Sequence, residues 1–163
     1  QRQMCIRDRS KNTSLGNSGY LSKVSNTMVY NVQVRGYITV NGQKYYDKWS
    51  DKAYLFTQPM VKKASVSGSK LKITWSKVSG VTGYDVYVSA KEKSGYKKVK
   101  SLSSSKSSVT VSKLGGKKFS SKKTYYIYIV GKKKVGKTTY TSGRHYSYKL
   151  KKGKNGSLQW TFD

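Results

Sequence analysis

The sequence predicts an all-β fold, a β-sandwich of short antiparallel strands. Three observations carry this expectation. Apolar and other residues alternate with period two in most segments. Turn residues punctuate the chain every ~8–12 residues. One stretch recurs further along at a constant spacing. Period-two alternation marks a strand with one buried face. The 15 tyrosines and the many valines suit strands better than helices. No segment sustains a helical period.

Residues 1–9 are set aside from the fold. Met4-Cys5-Ile6-Arg7-Asp8-Arg9 reads back as ATG TGT ATA AGA GAC AG, which resembles a transposon-end sequencing adapter, so this segment is expected to be disordered or foreign. It holds Cys5, the chain's one cysteine, so disulfide and thiolate chemistry are not expected in the rest.

Residues 10–58 begin with no clear pattern and then turn regular. Tyr30, Val32 and Val34 alternate with Asn31, Gln33 and Arg35 and end at Gly36. Asn41-Gly42 follows, a hairpin signal because both residues tolerate positive φ. A return strand then runs from Lys44 to Trp49. Pro59, the only proline, marks a linker.

Beyond it come strands at Val61–Ser67, at Leu71, Ile73 and Trp75, and at Tyr84, Val86 and Val88. Further strands are expected over 95–102 and at Val109 and Val111, with turns over 78–83, 103–108 and 114–123. Tyr125, Ile127, Ile129 and Gly131 then repeat Tyr30, Val32, Val34 and Gly36 at a constant spacing of 95 residues, close to one sandwich domain of ~100. Residues 60–150 therefore read as one complete domain. Residues 10–58 read as the last strands of another copy, whose apolar face (Val32, Val34, Trp49) has no opposing sheet of its own. Residues 151–156 read as a linker, and Trp160 lies in a segment that is either a strand or the start of a further module.

Here the chain resembles a known family. Ile73-Thr74-Trp75, followed by Tyr84-Asp85-Val86-Tyr87-Val88, is similar to the second and third strands of fibronectin type III domains. Thr124-Tyr125-Tyr126-Ile127 resembles their sixth strand, and Phe119 stands where the family usually has Leu; Val24 stands in the same relation to Tyr30. The resemblance covers about residues 10–150 and departs from the family over 114–123, which is long and lacks the usual Pro-Gly. It implies an immunoglobulin-like, seven-stranded β-sandwich with Trp75 as core tryptophan and Tyr125 as the tyrosine corner. Tyr30 and Trp49 would be the structural counterparts in the partial copy. The Lys- and Tyr-rich style is similar to repeats of bacterial secreted and cell-surface proteins, which implies an extracellular or wall-associated spacer flanked by other domains of a longer chain.

Chemistry has little to stand on. Gly131, Gly136, Lys137 and Thr138 fit the G-x-x-x-x-G-K-T phosphate loop, but a strand pattern follows where a helix is required, so a hairpin turn is expected. His145 is the only histidine and reads as an exposed strand residue. Asp47, Asp51, Asp85, Glu92 and Asp163 are scattered, with no metal-binding spacing; Asp47 and Asp51, which flank Trp49 beside Lys48 and Lys52, read as surface charge compensation. No catalytic residue, cofactor or metal is assigned.

The net charge is +28, carried almost entirely by lysine: beyond residue 9 only Arg35 and Arg144 are arginine. Lysine is a hydrated point charge and favours diffuse attraction to polyanions over base readout, so specific nucleic-acid binding is not expected. No apolar run approaches the ~20 residues of a membrane helix, and no membrane insertion is expected. One candidate ligand face remains. Outward tyrosines Tyr87, Tyr126, Tyr128, Tyr140, Tyr146 and Tyr148, rimmed by lysines, would suit an anionic wall polymer or polysaccharide.

Overall fold

The structure is a computed structural model that describes residues 3–8, 25, 27–153 and 158–162. The described residues form β-strands joined by turns, with no α-helix. The strands are β1 (Gln3–Asp8), β2 (Tyr30–Val40), β3 (Gln43–Tyr46), β4 (Ala53–Leu55), β5 (Val61–Ser67), β6 (Lys70–Trp75), β7 (Gly83–Ser89) and β8 (Lys97–Ser103). They continue as β9 (Ser108–Val111), β10 (Lys113–Leu114), β11 (Lys117–Lys118), β12 (Tyr125–Val135), β13 (Thr138–Thr141), β14 (Tyr146–Leu150) and β15 (Leu158–Phe162). Residues 9–24, Val24 among them, and residues 154–157 of the expected linker lie outside the described residues.

Two sheets enclose the core. One is three-stranded, β5-β6-β9; the other is six-stranded, β15-β14-β12-β7-β8, with β13 also on β12. All pairings within both are antiparallel. The first sheet turns Val61, Ala64, Val66, Leu71, Ile73 and Trp75 inward, and the second answers with Tyr84, Val86, Val88, Ile127, Ile129 and Leu150. This is the inward half of the alternation read from the sequence. Each fully buried aliphatic side chain contributes roughly 1.5–3 kcal/mol. Trp75 meets Tyr84 edge-on with centroids 5.6 Å apart, and the Tyr84 hydroxyl accepts the Val78 amide at 2.9 Å. The result is a β-sandwich-like all-β unit over 60–150.

The repeat is visible atom for atom in the backbone. β2 and β12 are each 11 residues long. Tyr30 pairs with Leu55 and Val32 with Ala53, as Tyr125 pairs with Leu150 and Ile127 with Tyr148. Val40 faces Gln43 as Val135 faces Thr138. The Ser25 amide donates to the Tyr30 hydroxyl at 2.7 Å, and the Ser120 amide donates to the Tyr125 hydroxyl at 2.9 Å. Every pair is spaced by the same 95 residues. The hairpin turns differ in sequence and in backbone conformation. Asn41 and Gly42 both have positive φ, whereas Gly136 alone does so in the second turn.

One expectation is corrected, and two segments are resolved. Residues 1–9 were expected to stay outside the fold, yet Gln3–Asp8 pairs antiparallel with β2. It takes the slot that β7 takes on β12: Asp8 faces Val32 where Val88 faces Ile127, and Gln3 faces Tyr37 where Gly83 faces Lys132. An open strand edge offers backbone donors and acceptors to any extended segment, whatever its side chains. The 114–123 turn contains a small hairpin, β10-β11, closed by Gly115 and Gly116 at positive φ. The last segment is a strand, β15, laid along β14, one of the two alternatives the sequence left open.

The repeats meet through a built joint. The Val29 amide donates to the Ser79 carbonyl at 2.9 Å, and the Ser79 amide donates to Thr27 at 2.6 Å. Phe56 packs over Gly131, where a Cβ would lie 3.2 Å from its ring. Gln58 is buried and its side-chain amide caps the start of β14: Nε2 donates to the Tyr146 carbonyl at 2.9 Å, and Oε1 accepts the His145 amide at 2.8 Å. Pro59, fully buried beside it, fixes the direction of the chain.

The tyrosine corner supplies a first test. Tyr125→Phe leaves the partly buried Ser120 amide unpaired, and we expect a loss of about 1–2 kcal/mol in urea unfolding with an unchanged m-value. An unfolding midpoint equal to that of the parent would show that the bond does not anchor the loop.

Candidate functional site

The outer face of the larger sheet is built by the other half of the alternation. Tyr87 on β7 lies directly opposite Tyr128 on β12. Their rings therefore stack, with centroids 4.6 Å apart and planes 8° from parallel. Tyr96, from the 90–96 loop, tilts against Tyr128 at 4.9 Å. The Arg144 guanidinium sits 4.2 Å above the Tyr96 ring and 5.3 Å above Tyr128. The Tyr96 hydroxyl bonds the Glu92 carbonyl and the Ser147 hydroxyl, both at 2.7 Å. Tyr126 donates to the Glu92 carboxylate at 3.2 Å and lies beneath Lys149, 5.5 Å from its ring. Tyr128 is thus flanked by Tyr87, Tyr96 and Arg144, and one face of Tyr87 is covered by Tyr128.

The six tyrosines proposed from the sequence do not form one face. Tyr87 and Tyr128 are brought together, half-buried. Tyr126 points the same way but is buried under Glu92 and Lys149, which corrects its placement as an open ligand residue. Tyr140 lies on the β13 hairpin against Tyr54, at 4.8 Å. Tyr146 stacks on Trp160 at 5.1 Å. Tyr148 is corrected outright: it is 1% exposed and belongs to the core. Its phenol pKa is raised, first by burial and then by Tyr146.

Leu150 explains the misreading of Tyr148. In a strand, residues two apart share a face. Leu150 is the core residue paired with Tyr125, so Tyr148 must follow it inward. Tyr96 was expected in a strand over 95–102 but lies in the loop just before β8, and Arg144 lies in the loop before β14; both reach the cluster from segments where period two does not apply. Trp49, expected as a structural residue, is half-buried against Arg35, whose guanidinium lies 4.4 Å from its ring.

The sequence also missed the role of Asp85. It is 7% exposed and receives the Lys132 ammonium at 2.6 Å, the Ser101 hydroxyl at 2.6 Å and Lys98 at 3.6 Å. Burial by itself pushes its pKa up, and this is the largest influence. The hydrogen bonds from Lys132 and Ser101, with the charges of Lys132 and Lys98, together outweigh it, so the carboxyl sits below its ordinary value. Asp85 ties β7 to β8 and β12 across the outer face.

The phosphate-loop pattern resolves as a hairpin. Gly131 is a strand residue whose amide donates to the Ser142 hydroxyl at 3.1 Å, and Gly136 makes the β12-β13 turn. His145, expected on a strand, is exposed in the bend just before β14, its ring nitrogen 3.0 Å from the Ser142 carbonyl. Among the described residues no three His, Cys, Asp or Glu side chains gather as a metal would need. Nor is any described helix long and apolar enough to cross a membrane. A cleft of about 440 Å³ lies at the repeat joint, between Phe56, Gln58, His145, Tyr146 and Trp160.

No protein-family model matches this chain, and no curated protein matches it.

Asp85 yields a pH test. Its folded pKa is lowered, so its contribution is present above the unfolded value of about 3.9 and is lost as pH falls through the folded value. Asp85→Asn should lower stability at pH 7 and flatten the loss of stability below pH ~4, followed by urea unfolding across pH. An acid limb as steep in the variant as in the parent would remove Asp85 from this role.

Proposed function

We propose that this chain is a non-catalytic structural module: fibronectin type III-like β-sandwich repeats that serve as a spacer in a bacterial extracellular or cell-wall-associated protein. The observation that carries this reading is the joint between the repeats. Backbone pairing at Ser79, the Phe56 ring on Gly131 and the Gln58 bridge to β14 hold successive repeats at a set angle. A spacer needs this, because a flexible linker would not transmit length or direction. The three-stranded sheet facing the larger one, and the tyrosine corner present twice, support the family reading. The wall or extracellular setting rests on the resemblance alone.

A second reading, attachment to an anionic wall polymer or polysaccharide, is favoured by one observation. Edge strand β8 exposes Lys97, Lys98 and Lys100, and the β10-β11 hairpin beside it exposes Lys117 and Lys118, with Gly115 against Lys97. In this reading the lysines act as a diffuse cationic edge and the tyrosines do not stack on sugar.

Two measurements test these readings. Spin labels on β3 and β8 should give a narrow distance distribution in the parent and a broad one in Phe56→Ala/Gln58→Ala. A broad distribution in the parent would end the spacer reading. Retention on an acidic polysaccharide should vanish near ~0.5 M salt, where screening is strong. It should fall in Lys97→Gln/Lys98→Gln/Lys100→Gln and stay unchanged in Tyr87→Leu. Retention that survives salt, or that depends on Tyr87, would contradict a diffuse lysine edge.

A further inference from the structure

The same sheet face is covered in one repeat and, among the described residues, only partly covered in the other. On β12 and β14, Ile127 and Ile129 are fully buried and Leu150 is 2% exposed, all beneath the β5-β6-β9 sheet. Their counterparts on β2 and β4 are Val32, Val34 and Leu55. Val32 and Val34 are only half-buried, and Leu55 is 56% exposed. None of the three joins the hydrophobic core among the described residues.

We propose that this inner face of the first repeat is a docking surface for a polypeptide half-repeat: a three-stranded antiparallel sheet of the β5-β6-β9 pattern, followed by a strand that replaces β1 on the β2 edge. Three observations select this occupant. First, the chain itself contains the complement. The face of β12 and β14 that matches Val32, Val34 and Leu55 residue by residue is covered by Val61, Ala64, Val66, Leu71, Ile73 and Trp75. Second, the face and the edge call for the same partner. The edge of β2 holds Gln3–Asp8 in the register of β7, and β7 is the strand that follows β5 and β6 in the complete repeat. Third, a second copy is a poor occupant. Two chains of net charge +28 repel, and in each copy the β5-β6-β9 sheet is already committed to its own core. The inference stands on the repeat geometry and is independent of the spacer reading.

A chimera tests it. Residues 59–119 placed directly ahead of Ser25 rebuild a repeat, because Ser25 corresponds to Ser120 at the tyrosine corner. The parent carries Cys5→Ser, and Leu55→Cys is introduced into both chains as a thiol reporter. We expect rapid labelling of the thiol in the parent and labelling slowed on the order of 100-fold or more in the chimera, as for a site reached only by unfolding. Equal labelling rates in a chimera whose 60–150 domain remains folded would overturn the proposal. So would concentration-dependent protection of the parent, which would make a second copy the occupant. A variant of the parent keeps the test alive if the chimera misfolds. Leu55→Lys should leave the unfolding midpoint unchanged, whereas Leu150→Lys should abolish folding; a matching loss at Leu55 would show that the face is already covered.

Discussion

A long strand with one apolar face must be covered on that face and paired along both edges. β12 meets this demand in full. Its inner residues Ile127 and Ile129 lie under the three-stranded sheet, β7 takes one edge, and β13 and β14 share the other. Backbone donors on such a strand would otherwise be stranded at a cost comparable to the gain from burial. The tyrosine corner at Tyr125 sets where the strand begins, and the Gly136 turn sets where it returns. Asp85 then binds the outer face of the same strand to its neighbour through Lys132. The remaining features of the sandwich can be read as consequences of satisfying this one element.

β2 is the same element with part of that demand unmet. It has the corner, the hairpin and the edge pairing, because these are local or depend on backbone alone. Among the described residues it has no covering sheet, because cover is non-local and requires another sheet. The contrast between Leu55 and Leu150 is therefore a difference in surroundings rather than in sequence. The joint shows the opposite economy. A few residues, Phe56, Gln58 and Pro59, place one repeat on the next by filling the space left by a glycine and by pairing with an otherwise open strand start.

The outer face illustrates how far alternation can be trusted. It correctly separates Tyr87 and Tyr128 from Val86 and Ile127, because both strands run straight across the sheet. It fails at Tyr148, where the phase had to be taken from Leu150, and at Tyr126, where a loop and a neighbouring lysine cover a side chain that points outward. It is silent on Tyr96 and Arg144, which reach the cluster from loops. It is equally silent on Asp85, whose partners come from β8 and β12.

What this sequence determined by itself is the set of strands, their faces and the repeat, because period two, turn residues and spacing are properties of neighbouring residues along the chain. The tertiary structure alone decided which faces are covered, which tyrosines remain open and how the repeats are joined. Burial and ion pairing are set by residues that meet only when the sheets close. A strand such as Gln3–Asp8 joins an edge through its backbone, without any signal that its side chains could have carried.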